Sequence, residues 1–168
     1  TGAVLIGKRV RNDGGAATTT VYLGGDVPAH ADQEVYADIV MLSDNDDSIV
    51  GVCARLDASA DTCYRAVFDT ADPAGAGGKW KLFKRVAGAD TALGTAFSQT
   101  LTVGQEYNVM LRCRQTSISL FVDGTSRVSA TDTAITAIGR VGVWLQNAAT
   151  DTTGLHLDNM VAVPWFQT

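Results

Sequence analysis

The sequence predicts an all-β domain, a jelly-roll-like sandwich of two antiparallel sheets. Three observations predict this fold class. Short apolar stretches are interrupted about every 8–12 residues by Gly, Asp, Asn and Thr, as strands are by turns. Many of these stretches alternate apolar and polar residues, which is typical of half-buried strands. No stretch carries the apolar stripe of an amphipathic helix.

Length and composition indicate one domain over residues 1–168, with 46% hydrophobic and 18% charged residues. Segments 1–15 and 164–168 are candidate extended arms, and the second contains an aromatic Trp165-Phe166 pair. The net charge of −5 argues against a nucleic-acid partner, which calls for a basic surface. No apolar run approaches the roughly 18 residues of a membrane span.

Strands follow in order along the chain, separated by turn residues. In the first half, alternation and turns predict strands at 3–11, 19–23, 34–42, 49–56 and 62–68. In the second half they predict strands at 79–86, 107–114, 117–122, 127–129, 140–147 and 155–163. The pairs 49–56 with 62–68 and 107–114 with 117–122 are predicted hairpins.

The first hairpin contains two of the three cysteines. Symmetric pairing about Ala58 places Cys53 opposite Cys63 on one face, with Arg55 and Arg65 on that same face. A cross-strand disulfide is geometrically allowed, and two neighbouring free thiols are the alternative. Cys113 belongs to an apolar set and is predicted to be buried and inert.

The strand at 140–147 presents a candidate glycan platform. Val141, Val143 and Leu145 form its core set, so Trp144 and Gln146 point to the other face. An indole ring covers the apolar face of a sugar, and an amide bonds its hydroxyls. The alternative is that a loop or a partner subunit covers Trp144.

Arginines on other strands extend this candidate contact face. Arg55, Arg65, Arg112 and Arg114 are expected to converge on one sheet face, where an anionic glycan or an acidic partner would bind. Pairing with local Asp residues on a solvated sheet is the alternative. The candidate ligand-binding residues are therefore Trp144, Gln146, Arg55, Arg65 and Arg112.

Three segments resemble the C-terminal half of the concanavalin A-like lectin/glucanase superfamily. Residues 118–124 match Ile-x-Leu-x-Val-Asp-Gly, residues 139–144 match a Gly-x-Val-Gly strand, and residues 157–160 match its closing Asp-Asn strand. The resemblance implies a concanavalin A-like sandwich. That superfamily includes lectins, glycosidases, lyases, laminin-G-like modules and virion components, so the resemblance does not select a function.

The carboxylates do not form a recognisable catalytic pair. Glycosidases of this superfamily resemble one another in a Glu-x-Asp-x-x-Glu cluster, whereas this chain has only Glu34 and Glu106, far apart in sequence. Asp38 and Asp69 have no partner at fixed spacing. His156 and Asp158 share a strand face but lack a nucleophile motif, which favours a structural role. No catalytic residue is predicted.

One acidic turn offers oxygen ligands to calcium. Its ligands would be Asp44, Asp46 and Asp47, with Asn45 between them. The turn lacks the Gly and Glu of an EF-hand loop, and Asp and Asn also favour turns for local reasons. No other cofactor is predicted.

These observations favour a non-enzymatic, lectin-like module on an extracellular or particle surface that binds a glycan or a protein. The first alternative is a viral structural protein, such as a phage capsid decoration or fibre-associated subunit, assembling as a homo-oligomer or within a shell. Scarce Lys, abundant Gly, Ala, Thr and Asp, and the candidate arms are consistent with it. The second alternative is a polysaccharide-active enzyme.

Overall fold

Two antiparallel sheets make up the part of the chain that a computed structural model describes: residues 3–6, 9–12, 19–22, 30–43, 48–70, 77–146 and 152–164. The strands are β1 Ala3–Ile6, β2 Arg9–Asn12, β3 Thr19–Tyr22, β4 Gln33–Ser43, β5 Ile49–Asp57, β6 Thr62–Asp69, β7 Gly78–Val86, β8 Ala89–Gln99, β9 Glu106–Arg114, β10 Ser117–Val122, β11 Thr125–Thr131, β12 Arg140–Gln146 and β13 Gly154–Pro164. The predicted all-β sandwich is confirmed. No helix capable of crossing a membrane occurs among these residues.

The strand order shows how the chain moves between the two sheets. One sheet has seven strands in the order β1-β2-β13-β4-β9-β10-β11, and the other has six in the order β3-β12-β5-β6-β7-β8. Strands β5 to β8 follow one another as a meander, whereas β12 returns from far along the chain to lie between β3 and β5. Such long crossovers between sheets are typical of a jelly roll.

The core lies between the sheets and is built from alternate residues, as predicted. On β4 the inward residues are Val35, Ala37, Ile39 and Met41, and on β9 they are Tyr107, Val109, Leu111 and Cys113. The six-stranded sheet contributes Phe68 and Trp80, whose ring centroids are 4.8 Å apart. The Trp80 Nε1–H donates to Gln99 Oε1 at 2.8 Å, so the largest core side chain has its polar atom satisfied.

The described residues near both ends of the chain form strands. The predicted strand at 3–11 divides into β1 and β2, which pair with each other, and β2 meets β13 where Val10 pairs with Leu157. This pairing satisfies backbone groups of these strands, and the extended arms at 1–15 and 164–168 stay a prediction. At the other end Pro164 pairs with Gln33, and 165–168 lie outside the described residues.

Strand β8 was absent from the predicted set. It pairs with β7 along its length, for example Lys84 with Thr91 and Trp80 with Phe97. Most side chains of β8 are exposed at the edge of the sheet. Its sequence, rich in Ala, Thr and Gly, therefore shows no clear two-residue alternation. An edge strand without a buried face carries little hydrophobic signal.

A bulge in β5 alters the direction of its side chains. The register shifts between Ala54 and Asp57 against β6, and at the same place against β12. One extra residue on β5 therefore places Arg55 inward, with its guanidinium 5.6 Å from the ring centre of the core residue Tyr64. Leu56 instead joins the apolar cluster on the outer face.

Gln33 joins the two sheets at this bulge. Its Nε2 donates to the Gly139 carbonyl at 2.7 Å, and its Oε1 accepts from the Arg55 backbone N–H at 2.8 Å. A Cβ at Gly139 would lie 2.4 Å from the Arg55 carbonyl carbon, so this close approach requires glycine. The bulge is thus fixed to a strand of the opposite sheet.

Candidate functional site

Trp144 lies on the outer face of the six-stranded sheet, as the alternation of β12 predicts. Its neighbours Val143 and Leu145 point into the core. Trp144 pairs with Gly51 of β5, which brings no side chain to that face. The indole packs in a second apolar cluster, separate from the main core, with Cys53 and Val67.

Two arginines cover this tryptophan. The Arg65 guanidinium lies 3.9 Å from the Trp144 ring centre and 4.9 Å from that of Phe83, and the Arg85 guanidinium lies 5.4 Å from Trp144. Trp144 is only 3% exposed. A guanidinium over an aromatic face is a favourable cation–π contact. We call this group the arginine–tryptophan patch, comprising Cys53, Cys63, Arg65, Val67, Phe83, Arg85 and Trp144.

Two carboxylates hold the arginines of the patch in place. Arg65 Nη2 donates to Asp90 Oδ2 at 2.5 Å. Arg85 donates to both oxygens of Asp61 at 2.8 Å, and to Asp90 Oδ1 at 3.0 Å. The hydrogen bonds from Arg85 lower the pKa of Asp61, and those same bonds raise the pKa of Arg85. Asp90 therefore bridges the two arginines.

Three donors of the patch lack a hydrogen-bond partner. They are Nε and Nη1 of Arg65 and Nε1 of Trp144, and all three atoms are buried. A buried donor without an acceptor costs about 1–3 kcal/mol. Cation–π contacts offset part of this cost for Arg65 but supply no acceptor. The patch is therefore rich in donors whose hydrogen-bonding capacity is unused.

Two thiols lie beneath the arginines. Cys53 and Cys63 are both buried and free. Cys53 pairs with Arg65 rather than with Cys63, because the turn is centred between Ser59 and Ala60 and not on Ala58, so the predicted direct opposition is wrong. A hydrogen bond between the thiols and burial raise the pKa of Cys53. That hydrogen bond and the two guanidinium groups lower the pKa of Cys63.

An open groove of about 470 Å³ continues this face toward the β5–β6 turn. Its walls are Leu56, Asp57, Ala58, Ser59, Ile138, Gly139 and Arg140. Leu56 also packs in the cluster of Trp144, so the groove and the arginine–tryptophan patch adjoin. Ile138 is 65% exposed and provides an apolar wall. Arg140 precedes Trp144 by four residues on β12. Arg140 and Trp144 therefore share a face.

Arg55 does not belong to the contact face, although the sequence placed it there. It is 2% exposed, and its guanidinium donates to the carbonyls of Ala31, Ile135 and Gln115 at 2.5–2.7 Å. Asp32 Oδ1 lies 3.5 Å from its Nη2. The bulge turns Arg55 inward, where it connects loops at one end of the sandwich.

Arg112 lies on the opposite sheet, so the expected convergence of arginines is wrong. It stands on β9 of the seven-stranded sheet, donates to Glu34 Oε1 at 2.6 Å and lies 4.7 Å from the Phe121 ring centre. Arg114 follows on the same strand. Of the predicted contact residues, the structure brings Arg65 and Trp144 into contact. Gln146 follows Trp144 by two residues on β12, where it pairs with Ile49.

The residues that sequence reasoning missed lie on β7, in the turn between β5 and β6, and at the start of β8. Phe83 and Arg85 cover the patch, and Asp61 and Asp90 hold the arginines. The alternation of β7 already places Phe83 opposite in direction to Trp80, which the structure confirms. The pairing of Phe83 with Arg65 across β6 and β7 is a long-range register that the local sequence does not encode.

The candidate acids have structural partners. Asp69 Oδ2 accepts from Lys81 Nζ at 2.8 Å, and both oxygens of Asp38 accept from side-chain amides. His156 is buried, with Nε2 3.2 Å from the Thr153 carbonyl. The calcium candidates Asp44, Asp46 and Asp47 lie outside the described residues.

The sequence matches no family model and no curated protein. The fold is similar to several solved structures. A carbohydrate-binding module, CBM66 from Bacillus subtilis, superposes with a TM-score of 0.73 at 16% identity, covering 95% of this chain and 89% of that one. CG-16, a homodimeric agglutinin from chicken liver, has a TM-score of 0.57 at 9% identity, covering 88% of this chain and 100% of that one.

A third similar structure belongs to an enzyme. The xylan β-1,4-xylosidase from Bacillus halodurans has a TM-score of 0.61 at 11% identity, and the match covers 92% of this chain but 32% of that one. These identities show a shared fold alone. The chain therefore has the concanavalin A-like jelly-roll fold that its sequence motifs resemble.

Proposed function

We propose that the protein is a non-enzymatic glycan-binding module acting on an extracellular surface. The observation that carries the proposal is the groove beside the arginine–tryptophan patch, which joins an exposed apolar wall at Ile138 to the charged Arg140. An apolar wall with a few directed polar groups is the usual composition of a sugar site. Its fold neighbours named as a carbohydrate-binding module and an agglutinin support this proposal.

The groove provides both kinds of contact that a sugar chain uses. Ile138 is 65% exposed and offers apolar surface to the C–H face of a sugar ring. Arg140 and the hydroxyl of Ser59 offer polar contacts to its oxygens. One oxygen of Asp57, Oδ1, accepts within its own turn from the Ser59 backbone N–H at 3.0 Å and hydroxyl at 2.7 Å. It thereby orders this wall of the groove.

A glycan array tests the proposal with two matched variants. Ile138→Ala removes the apolar wall of the groove, and Val161→Ala removes an exposed apolar side chain from the seven-stranded sheet. We expect wild type to bind at least one glycan, Ile138→Ala to weaken that binding by about tenfold, and Val161→Ala to retain it. An array on which wild type binds nothing would contradict the proposal.

Two further measurements test the alternative functions, a polysaccharide-active enzyme and a viral structural protein. Incubation of purified protein with the bound glycan should release no reducing or unsaturated sugar ends. Steady release would favour a polysaccharide-active enzyme. A protein that binds no glycan and co-purifies with shell proteins would favour the virion subunit.

A further inference from the structure

The two thiols of the arginine–tryptophan patch lie on neighbouring strands and on the same face of the sheet. Cys53 belongs to β5 and Cys63 to β6, and both side chains pack in the apolar cluster of Trp144. Each cysteine is at most 1% exposed, and the two thiols are hydrogen-bonded to each other. Two thiols in direct contact are the reduced partners from which a disulfide forms.

The bulge in β5 explains why these two thiols meet. Ala54 pairs with Tyr64, so an unbroken register would place the next residue, Arg55, opposite Cys63. Arg55 points inward at the bulge instead, and its side chain does not separate the thiols. A bulge also increases the local twist of two paired strands, which brings diagonal neighbours on one side closer together. Cys53 and Cys63 are therefore in contact although their positions are diagonal.

The third thiol is placed where it cannot join this pair. Cys113 stands on β9 of the seven-stranded sheet and points into the main core. Cys53 and Cys63 point away from that core, on the outer face of the other sheet. A disulfide requires Cβ atoms about 3.5–4.5 Å apart, so the sheet that lies between these faces excludes a bond to Cys113.

We infer that Cys53 and Cys63 are a dithiol pair that closes to a disulfide in an oxidising compartment and cross-links β5 to β6 beneath the arginines of the patch. No ligand has to enter the folded patch for this bond to form. Both sulfur atoms are buried in the folded protein, so their exchange with an oxidant takes place while the chain folds. In a reducing buffer the pair stays open as two free thiols.

A small disulfide such as oxidised glutathione is the oxidant. The thiolate of one cysteine attacks it, which forms a mixed disulfide and releases one glutathione thiolate. The thiolate of the second cysteine attacks the protein sulfur of that mixed disulfide and releases the other glutathione thiolate. Two electrons thus pass from the two cysteines to the oxidant, and the two thiol protons go to the released glutathione.

The cross-link acts on the hairpin that carries one wall of the groove. The turn between β5 and β6 contributes Asp57, Ala58 and Ser59 to that wall. A bond between the two strands restricts the unfolded hairpin and keeps the strands paired beside the groove. Disulfides persist in oxidising extracellular surroundings, which agrees with the proposed location. The pairing of the thiols does not depend on what the groove binds.

Thiol counting after oxidative folding tests this inference. The full chain is reduced in denaturant, refolded in a mixture of reduced and oxidised glutathione, and quenched with acid. Free thiols are then alkylated in denaturant, and peptide mass spectrometry locates each bond. We expect one disulfide that joins Cys53 to Cys63 and one free thiol at Cys113. The Cys113→Ala variant should form the same bond, and Cys53→Ala should form no intramolecular disulfide.

The unfolded chain in the same glutathione mixture is the reference state. We expect the equilibrium constant for the Cys53–Cys63 bond to be about tenfold or more larger in the folded protein than in denaturant, because folding holds the thiols together. Three free thiols in the folded protein, a bond to Cys113, or equal constants in the two states would overturn the inference. None of these results would alter the outcome of the glycan array.

Discussion

The central carbon of the Arg65 guanidinium lies 3.9 Å from the ring centre of Trp144. Asp90 holds that guanidinium through a 2.5 Å hydrogen bond from Arg65 Nη2. Because of this stack, the tryptophan that the sequence singles out as an exposed platform is a buried support for two arginines. The two guanidinium groups are themselves largely covered, and their partners Asp90 and Asp61 are the more exposed members of the ion pairs.

Replacing Arg65 should uncover Trp144. In a Trp165→Phe background, Arg65→Ala removes the closest cover of the indole, so we expect its fluorescence to become more accessible to acrylamide. Arg112→Ala is the matched control because it removes a guanidinium from Phe121 on the other sheet. Quenching that is equal in both variants would show that Arg65 does not shield the ring.

Arg55 should be essential for stability rather than for binding. Arg55→Met removes the donor to three carbonyls and the cation beside Asp32, and removing one partner of a buried ionic network costs about 3–5 kcal/mol. The free energy of unfolding in urea measures the loss. Arg114→Met, at an exposed position, should change it by about 0.5 kcal/mol or less. Similar losses in both variants would contradict the structural role.

Asp132 should make the free energy of unfolding depend on pH. Burial alone would raise its pKa, but hydrogen bonds from Lys84, Tyr64 and the Ala134 backbone N–H lower the pKa below its usual value. A lowered folded pKa means that the ionised group stabilises the protein above about pH 4, the unfolded value, and that this contribution is lost as pH falls through the folded pKa.

The variant Asp132→Asn tests this dependence. We expect it to lower the free energy of unfolding by about 1–3 kcal/mol at pH 7, the cost of a lost charged hydrogen bond, and to approach wild type below pH 4. Glu106→Gln, an exposed carboxylate, should show a small difference at every pH. If the difference in unfolding free energy between Asp132→Asn and wild type stays constant with pH, ionised Asp132 is not the source of the pH dependence.

The three thiols should differ in reactivity. Burial raises the pKa of Cys113 to about 12, whereas the pKa of Cys63 is lowered beside Cys53 and the guanidinium groups. Since the thiolate is the nucleophile, iodoacetamide at pH 8 should label Cys63 first and Cys113 about tenfold or more slowly. Peptide mass spectrometry follows the order, and equal rates in denaturant serve as the control. Equal labelling of Cys63 and Cys113 in the native protein would contradict the order.

The sequence was sufficient to predict the sandwich and the faces of its regular strands. Val35 to Met41 on β4, Tyr107 to Cys113 on β9 and the position of Trp144 on β12 follow two-residue alternation without interruption, so their direction could be assigned locally.

The contact face was harder to predict because two non-local features decide it. Uninterrupted alternation from Ala54 would point Arg55 outward and Leu56 inward. The bulge after Ala54 reverses both directions. The assignment of Arg65 and Arg112 to different sheets depends on strand order, which local alternation does not contain. Ion pairs such as Arg85 with Asp61 follow from that same order.

Gln33 holds one wall of the groove in a fixed position. Its two hydrogen bonds attach Gly139, a wall of the groove, and the backbone of Arg55 to the opposite sheet. The shape of this wall is therefore set when the chain folds, before any ligand arrives. A ligand that enters meets a preorganised surface, and its association restricts few motions of the protein.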